Sequence, residues 1–132
     1  MIDTHAAAAK TLLETTERTV YDSKATGTDI PPNYIVFYLS TPEGRSRRLS
    51  ADAPKERFLL STKCVGSTPW EVRDLLDRVR GVLLVKRLVV AGRNCSPFVA
   101  PRSYSTVRPD DTINPPAYVA TDPWPFTSSP VS

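Results

Sequence analysis

The chain has only two cysteines and one histidine, and these shortages narrow the chemistry open to it. Cys64 and Cys95 are too few for a disulfide scaffold and lack the paired spacing of a zinc site. We expect both to be buried free thiols. His5 lies in the first turn of a predicted helix, and no serine, cysteine or carboxylate follows at a spacing that suggests a catalytic triad. We expect His5 to face solvent.

Long apolar runs and the common ligand-binding motifs are also missing. No apolar run approaches the roughly 20 residues that span a bilayer, and the N-terminus lacks the basic and then apolar pattern of a signal peptide. Phosphate loops, dinucleotide fingerprints and metalloprotease motifs are not found. Asp110 and Asp111 are adjacent, but calcium needs about six to eight oxygen ligands. We expect a protein made in the cytoplasm, without a membrane span, cofactor, metal or catalytic site.

Proline, by contrast, is abundant, with 13 residues against 5 glycines. The length predicts one domain (1–132), and the proline excess predicts long loops at about 40–56 and 100–116 and a proline-rich tail at about 123–132. A net charge of +3 arises from 17 basic and 14 acidic residues, a balance too even to identify nucleic acid as the partner. The main basic concentration lies in the first loop and consists of Arg45, Arg47 and Arg48.

Apolar spacing predicts two helices. The first runs from about Thr4 to Glu17. The second is the best marked element of the chain, since Thr68 as N-cap, Pro69 at the first helical position and Glu71 at the third form a capping box. Its predicted buried face consists of Val72, Leu75, Leu76, Val79 and Leu83. Its predicted solvent face consists of Arg73, Asp74, Asp77, Arg78 and Arg80.

Strand patterns fill most of the remaining sequence. Alternation across Phe58 to Val65 predicts a central strand that leads into the second helix. Further strands are predicted at 19–22, 34–39 and 117–121, after which the prolines at 123, 125 and 130 should prevent a regular ladder. A hairpin is predicted from 88–91 and 95–99. Together these patterns predict an α+β fold, a small mixed or mainly antiparallel sheet with two helices packed on it.

The strand at 34–39 is apolar at both parities, so both of its faces should be covered. The face outside the core then needs a helix, a loop or a neighbouring subunit, and Tyr34, Val36 and Tyr38 are candidate interface residues. Trp70 and Trp124 are further candidates, because large aromatic residues dominate binding hot spots. For Trp70, packing over the start of the second helix is an equal alternative.

Several segments taken together resemble tail terminator proteins of long-tailed (siphovirus-type) bacteriophages, in particular actinobacteriophages. In chain order they are Met1–His5, Thr19–Asp22, Cys64–Pro69, Asp77–Arg80, Val90–Arg93 and Asn114–Pro116. The resemblance implies a structural virion protein that forms a hexameric ring on the head-proximal end of the tail tube. Such a ring stops tube polymerisation and contacts the tail tube protein and the head-to-tail connector. It implies no catalysis, and the genome would pass through the channel without specific recognition.

On this interpretation the loop with Arg45, Arg47 and Arg48 meets the tail tube or the channel. The alternative is a solvated loop, since Glu43, Asp52 and Glu56 interrupt its basic residues. Another head-to-tail ring protein, a stopper or adaptor, fits the same sequence features. A basic nucleic-acid-binding domain is an alternative of a different class, and steeply salt-dependent DNA binding would identify it.

Overall fold

The structure, a computed structural model, describes residues 2–25, 27, 30–41, 56–101, 105–112 and 117–130. Its two helices are α1 (Ile2–Glu14) and α2 (Pro69–Leu83). Its strands are β1 (Val20–Asp22), β2 (Tyr34–Ser40), β3 (Glu56–Gly66), β4 (Arg93–Cys95), β5 (Arg108–Asp110) and β6 (Ala117–Pro130). The predicted α+β fold class is confirmed.

A single mixed sheet runs through the described part of the chain. Its order is β1-β2-β3-β6-β4, and β5 also pairs with β6. β1 is parallel to β2, and the other pairings are antiparallel. The longest pairing joins β3 to β6, from Glu56 opposite Ser128 to Gly66 opposite Tyr118. Because β3 leads directly into α2, this ladder fixes where α2 begins.

One face of the sheet carries the core, because side chains alternate between faces along each strand. The buried apolar residues of the two longest strands on this face are Phe58, Leu60, Cys64, Ala120, Trp124 and Phe126. Ala9 and Leu13 of α1 belong to the same cluster, as does the apolar face of α2. Both helices therefore pack on this inner face, and no helix of the described residues covers the outer face.

The start of α2 follows the predicted cap in part. Thr68 has an extended backbone, and its hydroxyl oxygen accepts a hydrogen bond from the backbone N–H of Glu71 at 3.2 Å. The Glu71 carboxylate accepts a hydrogen bond from the Ser67 hydroxyl at 2.9 Å, a contact that the capping box does not predict. All five predicted apolar residues of α2 are buried. The predicted unit of strand and capped helix is thus confirmed.

The prediction that prolines interrupt the last strand is wrong, since β6 pairs with β3 as far as Ser128. The carbonyls of Pro125 and Thr127 accept hydrogen bonds from the backbone N–H groups of Val99 and Ser96, at 2.9 and 2.8 Å. They therefore point to the edge away from β3. Pro123 has the same parity as Pro125, so both ring nitrogens lie on that edge, and their missing N–H groups cost the β3 ladder nothing.

The predicted hairpin is also wrong. Residues 88–91 form an irregular segment and a turn, and β4 pairs with β6. Gly92 has the positive φ that the turn needs, 77°, and the backbone N–H of Arg93 bonds to the carbonyl of Val90 at 3.1 Å. From this turn the chain enters β4, which pairs with the edge of β6 that faces away from β3.

The three predicted irregular segments differ in outcome. Residues 42–55 of the first loop lie outside the described residues. The second segment contains β5, a short strand that pairs with the start of β6. The tail belongs to the sheet as far as Pro130.

Candidate functional site: exposed apolar surfaces and buried polar pairs

The predicted tyrosine surface lies on the outer face of the sheet. Tyr38 is 39% exposed, Tyr34 is half-buried and Val36 is buried. The rings of Tyr34 and Tyr21 meet edge to face, with centroids 5.6 Å apart. Val36 therefore has little surface to offer a partner, and of the three predicted interface residues Tyr34 and Tyr38 remain candidates.

Burial raises the pKa of Tyr34, and the neighbouring Tyr21, Asp110 and Tyr38 raise it further. Two hydrogen bonds from Thr112 lower the pKa of Asp110. At neutral pH the Tyr34 ring is therefore uncharged while Asp110 is ionised. Such a surface suits hydrogen bonding through hydroxyl groups and contact through rings, as is common at protein interfaces.

The two tryptophans occupy opposite environments. Trp124 is fully buried in the core. Its side chain presents no surface to a partner, so the predicted interface role is corrected. Trp70 is 71% exposed at the second position of α2. Packing over the helix start leaves most of its ring in water, and Trp70 remains a candidate anchor.

Polar groups surround Trp70. It shares a hollow of about 250 Å³ with Arg18, Asp74 and Arg78. Asp74 accepts from Arg78 Nε at 3.1 Å and lies 3.6 Å from a guanidinium nitrogen of Arg18. Glu71, the next residue along the chain, directs its carboxylate to the Ser67 hydroxyl. Trp70 thus projects from a polar rim, as interface anchors do.

A second apolar surface lies beyond the other end of α2. There the segment 85–91 runs beside α1, and the two enclose a groove of about 860 Å³, called here the α1 groove. Leu88 and Val90 are buried, whereas Val85 and Val89 are 79% and 88% exposed. The groove is lined by Thr4, Ala7, Ala8, Thr11, Leu12, Thr15, Val85, Lys86, Arg87, Val89, Val90 and Ala91.

Sequence reasoning missed this groove. The segment 88–91 is apolar at both parities, and that pattern was interpreted as a strand of a hairpin. The same pattern is the available signal for the groove, because the segment buries Leu88 and Val90 and leaves Val89 exposed.

Arg80 forms a buried ion pair, so the prediction that it faces solvent is wrong. Its Nη2 donates to Asp122 Oδ2 at 3.1 Å, and the side chains are 9% and 0% exposed. The other oxygen of Asp122 accepts from the backbone N–H of Ser105 at 3.1 Å. The Ser105 hydroxyl in turn donates to the Thr121 carbonyl. These bonds tie α2, β6 and the segment before β5 together.

His5 is fully buried, which contradicts the prediction that it faces solvent. Its Nε2 lies 2.9 Å from the hydroxyl oxygen of Ser128, which also accepts from Arg93 Nε at 2.9 Å. The imidazole stacks on Phe58 with ring centroids 4.5 Å apart. His5 therefore joins the start of α1 to the end of β6, and its role is structural.

Both cysteines are buried free thiols, as predicted. Burial and, to a smaller extent, nearby Asp122 outweigh the opposing effect of Arg80 and raise the pKa of the Cys64 thiol from 9.0 to about 12. The thiolate, which is the nucleophile, is therefore absent at neutral pH. In the described part of the chain, no three His, Cys, Asp or Glu residues are placed to share a metal ion.

Two further observations concern partners. No helix among the described residues is long and apolar enough to cross a membrane. The predicted tube or channel contacts, Arg45, Arg47 and Arg48, lie outside the described residues.

Comparison with known proteins supports the fold and gives no information on function. No protein-family model matches the chain, and no curated protein matches it. One solved structure is similar over 100% of this chain and 96% of its own, with a TM-score of 0.65 and 14% sequence identity. At this identity the likeness shows a shared α+β fold alone.

Proposed function

We propose that the protein is a structural subunit of a bacteriophage tail that assembles into a hexameric ring. The ring caps the head-proximal end of the tail tube, stops tube polymerisation and joins the tail to the head connector. Its partners are further copies of itself, the tail tube protein and the connector. The role is architectural rather than catalytic, and it places the protein in the virion.

One observation carries the assembly part of this proposal: exposed apolar side chains occur at both ends of α2. Trp70 projects near its start, and Leu84, Val85 and Val89 are exposed beyond its end, at 54%, 79% and 88%. Contiguous exposed apolar groups on a soluble domain mark interaction surfaces. Two different surfaces on one chain permit a head-to-tail contact, which closes into a ring when the rotation between copies allows.

The resemblance of six short segments to tail terminators supports the placement on a phage tail. One of them, Cys64–Pro69, is the junction at which β3 ends and the cap of α2 begins. A second, Val90–Arg93, contains the turn with the positive φ at Gly92. Both occupy positions where backbone geometry restricts the choice of residue, which is a reason for related chains to share them.

Electron microscopy of particles assembled without this protein tests the proposal. We expect free filled heads beside tails of excessive and variable length, because nothing stops tube growth. Complementation with the wild-type chain is the control and should restore virions. Tails of normal length that fail to join heads would instead identify a stopper or adaptor. Normal virions would refute a structural role altogether.

A further inference from the structure

We infer that the α1 groove binds Trp70 of a second copy of this chain. This inference rests on the proposed function and deepens it, because it assigns the two surfaces that meet between neighbouring subunits. The contact is heterologous: each copy supplies its tryptophan to one neighbour and its groove to the other.

The lining of the α1 groove determines which chemical groups can bind there. The groove has apolar side chains along both walls, with Ala8 and Leu12 on α1 and Val85 and Val89 opposite. Its charged lining residues are Lys86 and Arg87, and no acidic residue of the described chain lines it. The occupant should therefore combine a large apolar group with a negative charge or an aromatic ring face that attracts a cation.

Trp70 and its neighbour meet that description. The indole is 71% exposed, and the adjacent Glu71 carries a carboxylate that accepts a hydrogen bond from the neutral Ser67 hydroxyl. A cation of the groove can pair with this carboxylate or lie over the indole face, and tryptophan is the best ring for a cation–π contact. Arg18 and Arg78 also lie beside Trp70, but both guanidinium groups pair with the Asp74 carboxylate, at 3.6 and 3.1 Å, which leaves Glu71 to meet a cation of the groove.

The positions of Trp70 and the groove on one chain permit a closed ring. Trp70 and the groove lie at opposite ends of α2, whose 15 residues give a length of about 22 Å. A tryptophan placed in the groove of a neighbour leaves the neighbour's own tryptophan free on its far side. Copies can therefore add in one direction until the first groove meets the last tryptophan, which is the requirement for a closed ring.

Three single substitutions test this assignment by sedimentation and light scattering. Trp70→Ala removes the anchor, and Val89→Asp places a carboxylate in the groove wall. Val99→Asp is the matched control, because this valine is 60% exposed in a segment outside both surfaces. All three side chains are exposed, so circular dichroism and melting temperature should remain those of the wild type.

We expect the wild type and Val99→Asp to form rings, and the other two variants to raise the dissociation constant roughly 30-fold or more, as loss of a hot spot does. An equimolar mixture of Trp70→Ala and Val89→Asp should stop at a heterodimer, because that pair retains one intact tryptophan and one intact groove. Trp70 emission should shift to shorter wavelength on assembly of the wild type, while the buried Trp124 provides an unchanging background.

Several results would overturn the inference. They are ring formation by Trp70→Ala, ring formation by Val89→Asp, and a mixture that yields no heterodimer. A wild-type chain that stays monomeric at millimolar concentration would also overturn it. The proposed function is judged separately by tail length in particles lacking the protein. Overlong tails together with intact rings of the Trp70→Ala variant would reject this interface and retain the terminator role.

Discussion

Substitution of Arg80 by methionine should be among the most damaging single changes to stability, although sequence reasoning placed this residue in solvent. Asp122 is fully buried and accepts hydrogen bonds from Arg80 and from the backbone N–H of Ser105. Methionine retains much of the apolar stem but leaves the carboxylate with one neutral donor. An uncompensated buried charge of this kind costs about 3–5 kcal/mol of unfolding free energy.

Urea unfolding followed by circular dichroism measures this loss. For a chain of this size, a slope of about 2 kcal/mol per molar urea converts the expected cost into a midpoint shift of roughly 2 M. Arg78→Met is the matched control on the same helix. Arg78 pairs with Asp74 at 3.1 Å, but both side chains are more than a third exposed, so its loss should cost about 0–1 kcal/mol.

The double substitution Arg80→Met with Asp122→Leu separates the net contribution of the ion pair from the cost of leaving one buried charge unpaired. Removal of both charges eliminates the desolvation cost as well as the attraction, so the double variant should lie close to the wild type in stability. The coupling between the two sites should then be several kcal/mol. A loss below about 1 kcal/mol for Arg80→Met alone would refute the reasoning, because it would match an exposed pair.

Three further predictions follow from single sites. Since the folded pKa of Cys64, about 12, exceeds its ordinary value of 9.0, the wild type should lose stability as pH rises from about 9 to 12, relative to Cys64→Ala; urea curves with a constant difference across this range would contradict this. Gly81→Ala, in open space within α2, should raise stability by about 0.5–1 kcal/mol, whereas Gly66→Ala should lower it in the same assay, because a Cβ there meets the first turn of α2 at 3.1–3.2 Å. Thr112→Val removes the hydroxyl hydrogen bond and should raise the pKa of Asp110 towards its ordinary value in an NMR titration, and an unchanged carboxyl titration would rule out this bond as a cause.

The fold class and α2 could be predicted because their signals are local. The cap at Thr68, the proline after it and the apolar spacing all lie within the element that they specify. The sheet was predicted correctly where alternation is strong, along β3. It was wrong along β6, where Pro123 and Pro125 suggest a break. The two prolines have the same parity, which places both nitrogens on the edge away from β3 and is compatible with an unbroken ladder on the β3 side.

Buried polar residues could not be predicted because their partners are distant in sequence. Arg80 meets a residue 42 positions away, and His5 meets one 123 positions away. A charged residue beside an apolar helix face is normally solvated, and nothing near Arg80 in sequence reveals the carboxylate opposite it. For the same reason the sequence did not separate Trp70 from Trp124 as candidate anchors.

The buried pair and the proposed contact between copies depend on the same helix. For Trp70 to enter a neighbour's groove in every copy of a closed ring, the distance and angle between tryptophan and groove must be the same in each copy. α2 fixes the distance, and the ion pair between Arg80 and Asp122 fixes the rotation of α2 on the sheet near its C-terminal end. A buried, hydrogen-bonded pair tolerates little displacement, unlike a purely apolar contact, in which side chains can repack. In the proposed ring, the pair would therefore do more than hold the fold, because it would also set the position of Trp70 relative to the α1 groove.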